Sequence, residues 1–202
     1  MIEKQLLAAG ITKIAGVDEA GRGPCAGPLV IASVILKDPQ SDSLSEIRDS
    51  KELTPAKRER LFDVVIAESV SYSIIEVSVD EIDSLGLHKC NIEGMRRAIN
   101  ALKIEPEYVL TDGYAIPGLI TPNLAVWKGD QVAISISAAS ILAKVYRDRI
   151  MIELDKKYPG YGLAGHKGYI TKTHTDAIKE LGVLPIHRKS FSNIAEIINS
   201  KA

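Results

Sequence analysis

Asp18 and Glu19 stand side by side at the end of an apolar run, and Gly21-Arg22-Gly23-Pro24 follows at once. Two carboxylates at the mouth of a buried element cost stability unless they are hydrated, paired or bound to a cation. Glycines carry no Cβ, so the backbone at Gly21 and Gly23 can approach a ligand closely. Two further acids share this context. Asp112 ends the apolar run that starts at Tyr108 and precedes Gly113, and Asp130 follows Lys128-Gly129. Oxygen ligands are what Mg²⁺ and Mn²⁺ prefer, and four carboxylates can hold two ions about 3.5–4 Å apart for in-line attack on a phosphodiester. Singly, Asp112 is equally a turn aspartate and Asp130 equally a helix N-cap.

Basic and aromatic residues supply a second set. Ser137, Ser140, Lys144 and Arg147 fall at helical spacing on one face, which either tracks phosphates or is a solvated charged face. Asp49-Ser50-Lys51 precedes a helix start at Pro55, where free N–H groups, a hydroxyl and a lysine suit phosphate, as they suit an ordinary cap. Tyr161, His166, Lys167 and Tyr169 combine aromatics and bases on a glycine-rich loop, a mixture that can stack on a sugar or base. Cys25 has no histidine near it in sequence and reads as a small buried side chain.

These residues need elements to position them. Strands are expected at Lys13 to Asp18, Leu29 to Leu36, Ser71 to Val79 and Tyr108 to Asp112, with Leu124 to Trp127 a further apolar stretch. If the strands ending at Asp18 and Asp112 are neighbours, their carboxylates converge at one edge of a sheet. Successive strand side chains point to opposite faces, so Asp18 and Glu19 share a site only if the strand ends or bulges between them. Thr54-Pro55 opens a helix to Ala67, and Asp80 and Asn91 read as helix starts. A long helix follows Asp130 to about Tyr158, with shorter ones at Thr173 to Leu181 and Ser192 to Ile198. The fold class is α/β, a mixed β-sheet flanked by helices with a C-terminal helical region.

The chain of 202 residues, 46% apolar and 25% charged, has the composition of one globular domain, residues 1–202, with about 160–202 as a loop and helical appendage. Two cysteines are too few for a disulfide framework or the usual zinc site, and no export signal or membrane span is evident. A cytoplasmic protein is expected. The net charge of −1 hides an asymmetry: from Asp130 onward eleven Lys and Arg face seven Asp and Glu, whereas the first 129 residues hold fourteen basic and nineteen acidic side chains. An acidic half for cations joined to a basic half for phosphates suits a metal-dependent enzyme acting on a polyanion.

In this order, Gly16 to Pro24 with Gly27-Pro28, Asp49-Ser50-Lys51, Thr111-Asp112-Gly113, Lys128-Gly129-Asp130, Ser137 to Asp148, Tyr161-Gly162 with His166-Lys167-Gly168-Tyr169, and His187 to Phe191 resemble ribonuclease HII, the type 2 ribonuclease H, in its bacterial form. The resemblance spans nearly the whole chain. It implies a ribonuclease H-like sheet and an endonuclease that cuts the RNA strand of RNA/DNA hybrids, or 5′ of a single ribonucleotide embedded in duplex DNA, in ribonucleotide removal. It further implies Mg²⁺ or Mn²⁺ as cofactor, two ions with substrate bound, held by Asp18, Glu19, Asp112 and Asp130. Asp18 would bridge both ions, Asp112 favour the leaving-group ion and Asp130 the water-activating one. Gly21-Arg22-Gly23 and Tyr169 would sense the RNA/DNA junction, and Ser50, Lys51, Lys144 and Arg147 would hold phosphates. A monomer without membrane attachment is expected. The type 3 enzymes lack the arginine between the glycines and carry an added N-terminal domain, for which Asp18 comes too early. Two rival readings are a non-catalytic nucleic-acid-binding module, whose acids are only caps and turns, and a small-molecule phosphatase, which needs neither the basic helix nor the aromatic loop.

Overall fold

The structure, a computed structural model, describes residues 2–47 and 53–200. Its elements are α1 (Ile2–Ala8), β1 (Ile14–Ala20), β2 (Leu29–Leu36), α2 (Pro55–Ala67), β3 (Ser69–Val77), α3 (Val79–Leu85), α4 (Leu87–Asn100), β4 (Tyr108–Asp112), β5 (Asn123–Val126), α5 (Gly129–Val132), α6 (Ile134–Lys157), α7 (Leu163–His166), α8 (Lys172–Leu181) and α9 (Ser192–Ser200). The strands form one sheet in the order β3-β2-β1-β4-β5. β1, β2 and β3 pair antiparallel, while β4 lies parallel to both β1 and β5, giving the expected mixed sheet. Val17 pairs with Thr111, so Asp18 and Asp112 stand level at the ends of neighbouring strands.

Both faces of the sheet are covered, which is why β2 is buried along its whole length and apolar except for Ser33, rather than alternating. Ala15, Val17, Leu29 and Ile31 pack with Met95, Ala98 and Ile99 of α4. Ala20, Val30, Ala32 and Val34 pack on the other face with Leu61 and Val65 of α2 and the small residues Ala138 and Ala139 of α6. That small-residue turn permits an approach without intervening side chains. A Cβ on Gly16 would overlap the main chain of Ser135 and Ile136, so β1 and the start of α6 meet backbone to backbone.

Local sequence explains most boundaries. Thr54 caps α2 by accepting from the Lys57 N–H at 3.3 Å, with Pro55 in the first turn. Three expectations differ. The cap of α3 is Ser78, in a capping box with Glu81, rather than Asp80. Asn91 does not open a helix; it lies fully buried within α4, where tertiary packing overrides its capping preference. β1 continues through Glu19 to Ala20 instead of ending after Asp18. Residues beyond Tyr158 pack around Cys25, Ala26 and Met151 through Tyr161, Leu163, Ile178 and Ile194. Among the described residues, no helix is long and apolar enough to cross a membrane.

Candidate active site

Asp18, Glu19 and Asp112 line one cavity of about 280 Å³, together with residues 20–23, Ser140, Lys144, Arg147 and Tyr169. Along β1, Asp18 shares the face of Ala20, towards α6, and Glu19 shares the face of Ala15 and Val17, towards α4. The two carboxylates reach the same cavity because they sit at its rim, where β1 gives way to the glycine loop.

Asp18 is nearly buried, and its Oδ1 accepts from the Glu19 N–H at 2.7 Å. Burial raises its pKa well above the usual carboxylate range, and the charges of Glu19 and Asp112 raise it further, against hydrogen bonds from Ser140 and the Glu19 amide. Burial likewise pushes Glu19 up to about 7; Arg22 opposes the shift and Asp112 adds to it. Arg22 Nη1 lies 3.5 Å from Glu19 Oε1, and its guanidinium stacks 4.5 Å over the Tyr114 ring. In this state the Arg22 side chain turns back onto the acid. Asn91 adjoins the Glu19 carboxylate and favours its charged form, yet neither amide atom closes a hydrogen bond of normal geometry. Glu19 Oε2 and Arg22 Nε are also buried and unpartnered.

Asp112 Oδ1 accepts from the Gly129 N–H at 2.8 Å, tying the Lys128-Gly129-Asp130 turn to the end of β4. Lys128 takes a left-handed conformation, φ +52°, and the chain then turns into α5. Asp130 consequently does not line the cavity of the other three acids. It lines a neighbouring cavity of about 670 Å³ with Pro39 to Asp42 and the start of α6, and its carbonyl accepts from Ser137 Oγ at 2.7 Å. Among the described residues, no three acid, histidine or cysteine side chains close into a ready-made metal cage. The donor set nevertheless fits a divalent cation. It consists of carboxylate oxygens, one of them orphaned, whose mutual repulsion a cation would relieve.

The basic residues divide. Lys144 borders the cavity with Nζ 2.6 Å from Asp148 Oδ1, and burial lowers its pKa. Arg147 corrects the expectation of a phosphate-holding side chain. It is 1% exposed and donates to the carbonyls of Pro28 at 2.9 Å and of Lys167 and Ala26 at 3.0 Å. Its helical face is sunk into loop 21–28, so closely that a Cβ on Gly21, at φ +100°, would overlap the arginine. Tyr169 stays half exposed, against Gly23. Ser50 and Lys51 lie outside the described residues.

Spacing gave no hint of what holds loop 21–28. Arg188, fully buried, donates from Nε and Nη2 to the Gly27 carbonyl at 3.1 and 2.9 Å, and from Nη1 to the Arg22 carbonyl at 3.3 Å. Main-chain bonds join Cys25 N to Gly168 O, Gly27 N to Ile186 O and Arg188 N to Cys25 O. Three histidines lie beside this seam. His187 Nδ1 accepts from the Leu184 N–H at 2.8 Å, which leaves its Nε2–H to donate to His174 Nε2 at 3.2 Å. His174 Nδ1–H then donates to the Tyr169 carbonyl at 3.0 Å. His166 stacks on His174 at 4.2 Å. Burial holds His187 down at about 4 and also lowers His174, so both rings are neutral at pH 7. The only sequence signal was the place of His166 and His187 in the motifs at 166–169 and 187–191; His174 had none.

Carboxylates at the ends of a central parallel strand pair, in a mixed sheet covered on both faces and flanked by a lysine-bearing helix, define a nuclease of the ribonuclease H class. The family model described as Ribonuclease HII matches residues 15–194, and the chain belongs to that family. A Ribonuclease HII from Corynebacterium jeikeium is 53% identical over 195 residues, covering 96% of this chain and 94% of the relative. The crystal structure of ribonuclease H2 from Pyrococcus horikoshii superposes with a TM-score of 0.82 at 31% identity, covering 93% of this chain and 98% of that one. Bst-RNase HIII in complex with Mn²⁺ shares the fold, with a TM-score of 0.71 at 17% identity over 93% of this chain and 70% of that one. The chain is thus a metal-dependent phosphodiester hydrolase with ribonuclease H activity on RNA/DNA hybrids.

Proposed function

We propose that this enzyme nicks duplex DNA 5′ of a single embedded ribonucleotide as well as cutting the RNA of longer hybrids, leaving 3′-hydroxyl and 5′-phosphate ends. The observation that carries the reading is the shared cavity, which sets three carboxylates against the main chain of residues 21–23 and the half-exposed Tyr169. Asp18, Glu19 and Asp112, with Asp130 brought in from the adjoining cavity, would hold Mg²⁺ or Mn²⁺, two ions once substrate is bound. Bound ions of this kind activate the attacking water and stabilise the leaving 3′ oxygen.

The remaining work falls to the chain. Lys144 neutralises a phosphate beside the acids. The pinned main chain of 21–23 and the Tyr169 ring face the sugar, where the 2′-hydroxyl distinguishes RNA from DNA. Arg22 faces Glu19 here, and its guanidinium would be free to meet the junction if a cation held the Glu19 carboxylate. Two free, buried cysteines suit a reducing cytoplasm.

The test is cleavage of matched duplexes with no, one or four ribonucleotides, in Mg²⁺ and in Mn²⁺. Wild type should cut the last two, and Asp18→Asn and Asp112→Asn should each lose at least about a thousandfold in rate, as loss of transition-state charge stabilisation does, while still binding. Undiminished cleavage by either variant overturns the site assignment. Wild type that binds all the ribonucleotide-bearing duplexes and cuts none would identify a binding module instead.

A further inference from the structure

Trp127, the only tryptophan of the chain, is 82% exposed. Single exposed apolar residues are ordinary, but this one sits on a turn tied at both ends to the end of β4 that carries Asp112. It follows Val126, whose Cα partner across the parallel ladder is Asp112 and whose carbonyl accepts from the Gly113 N–H at 2.9 Å. Two residues later the Gly129 N–H donates to Asp112 Oδ1. Both ends of the turn that carries Trp127 and Lys128 are therefore hydrogen-bonded to Asp112 and its neighbour. The indole makes no ring-stacking or cation–π contact among the described residues. Lys128 beside it is exposed as well.

We infer that Trp127 and Lys128 form a nucleic-acid subsite on the β5 side of Asp112, the indole packing on a sugar or base face of the duplex and the ammonium on a phosphate. This rests on the function proposed above. β5 lies two strand spacings from β1, roughly 10 Å, and a single DNA major groove is about 12 Å wide. A duplex whose scissile phosphate sits over Asp18 and Asp112 must overhang Trp127. The turn's one exposed charge is positive, which suits a polyanion, and an aromatic face beside a cation is how proteins hold nucleic acid without reading its sequence. The subsite lies on the opposite side of the carboxylates from Tyr169 and residues 21–23, so the two would grip the duplex on either side of the cut.

Because the chain has one tryptophan, its emission reports on this position alone. The Asp18→Asn protein is titrated with an RNA/DNA duplex while tryptophan emission is followed, and binding is measured in parallel by the anisotropy of a labelled duplex. The emission should quench and saturate at the duplex concentration that saturates the anisotropy. On the otherwise wild-type chain, Trp127→Ala should bind roughly tenfold more weakly, as loss of one aromatic stack does, with an unchanged melting temperature, and Trp127→Phe should recover most of the affinity. Binding without quenching, or a Trp127→Ala protein that binds like wild type, overturns the subsite and leaves the proposed function standing. Emission that changes with protein concentration before duplex is added assigns the indole to contact between copies instead, and also overturns it. A wild-type chain that neither binds nor cuts overturns the function first.

Discussion

Two clusters of buried ionisable side chains meet at residues 21–28, with Arg147 reaching the edge of both. Behind the loop, Arg147 and Arg188 spend their donors on main-chain carbonyls, and His174 and His187 are neutral and bonded to each other. In front of it, three carboxylates crowd one cavity, and Glu19 Oε2, Arg22 Nε and the Asn91 amide go without partners. An unsatisfied buried polar atom costs roughly 1–3 kcal/mol, so the front cluster weakens the free protein and the rear one holds it together. The contrast separates the part of the molecule built to hold itself from the part built to hold something else.

The contrast breaks most readily at Arg188. Arg188→Ala should strand the Gly27 and Arg22 carbonyls and cost about 3–4 kcal/mol, lowering the melting temperature by roughly 10 °C; thermal unfolding measures it. A loss under 1 kcal/mol would mean the rear cluster is not the anchor.

The two clusters should also answer pH with opposite signs. His187 titrates lower in the folded chain, about 4 against 6.5, so its contribution is complete above pH 6.5 and is lost as pH falls through 4, amounting to about 3 kcal/mol. Denaturant unfolding between pH 7 and 4 should show this slope, and His187→Gln should flatten it. Glu19 titrates higher when folded, about 7 against 4.5, so whatever stability it contributes is present below pH 4.5 and is lost as pH rises through 7. Glu19→Gln should raise the melting temperature of the metal-free protein by roughly 10 °C at pH 8, the equivalent of about 3 kcal/mol, and leave it unchanged at pH 4.5. A fall at pH 8 would show that the Arg22 pairing outweighs the cost of burial.

Much of this arrangement was legible in the residue pattern. The apolar runs ending at Asp18 and Asp112 located β1 and β4, because apolar runs closed by acid and glycine leave few alternatives. Thr54-Pro55 located α2 for an equally local reason. Asn91 misled, since a capping residue and a polar residue buried beside a carboxylate look alike in one dimension. Arg147 misled through helical spacing, which tells that Ser140, Lys144 and Arg147 share a face but not that the Arg147 end of it sinks into a loop some 120 residues earlier. Arg188 acts across still longer separations, so only its place in a family motif marked it. The four acids came from the pattern, their roles came from the resemblance, and the turning of Asp130 into the next cavity came from neither.

The seam between residues 22–28 and residues 168–188 also bears on the order of synthesis. Asp18, Glu19 and the glycine loop are among the first residues made, yet the carbonyls of Arg22, Cys25 and Gly27 accept from Arg188, and the Gly27 N–H donates to the Ile186 carbonyl. A chain interrupted before residue 186 would carry every acid of the site and none of these fastenings. Translation therefore delivers the chemical groups early and the last part of the clasp that aligns them nearly at the end, so a truncated product would hold the catalytic acids with only Arg147 and the Gly168 carbonyl to fasten the loop.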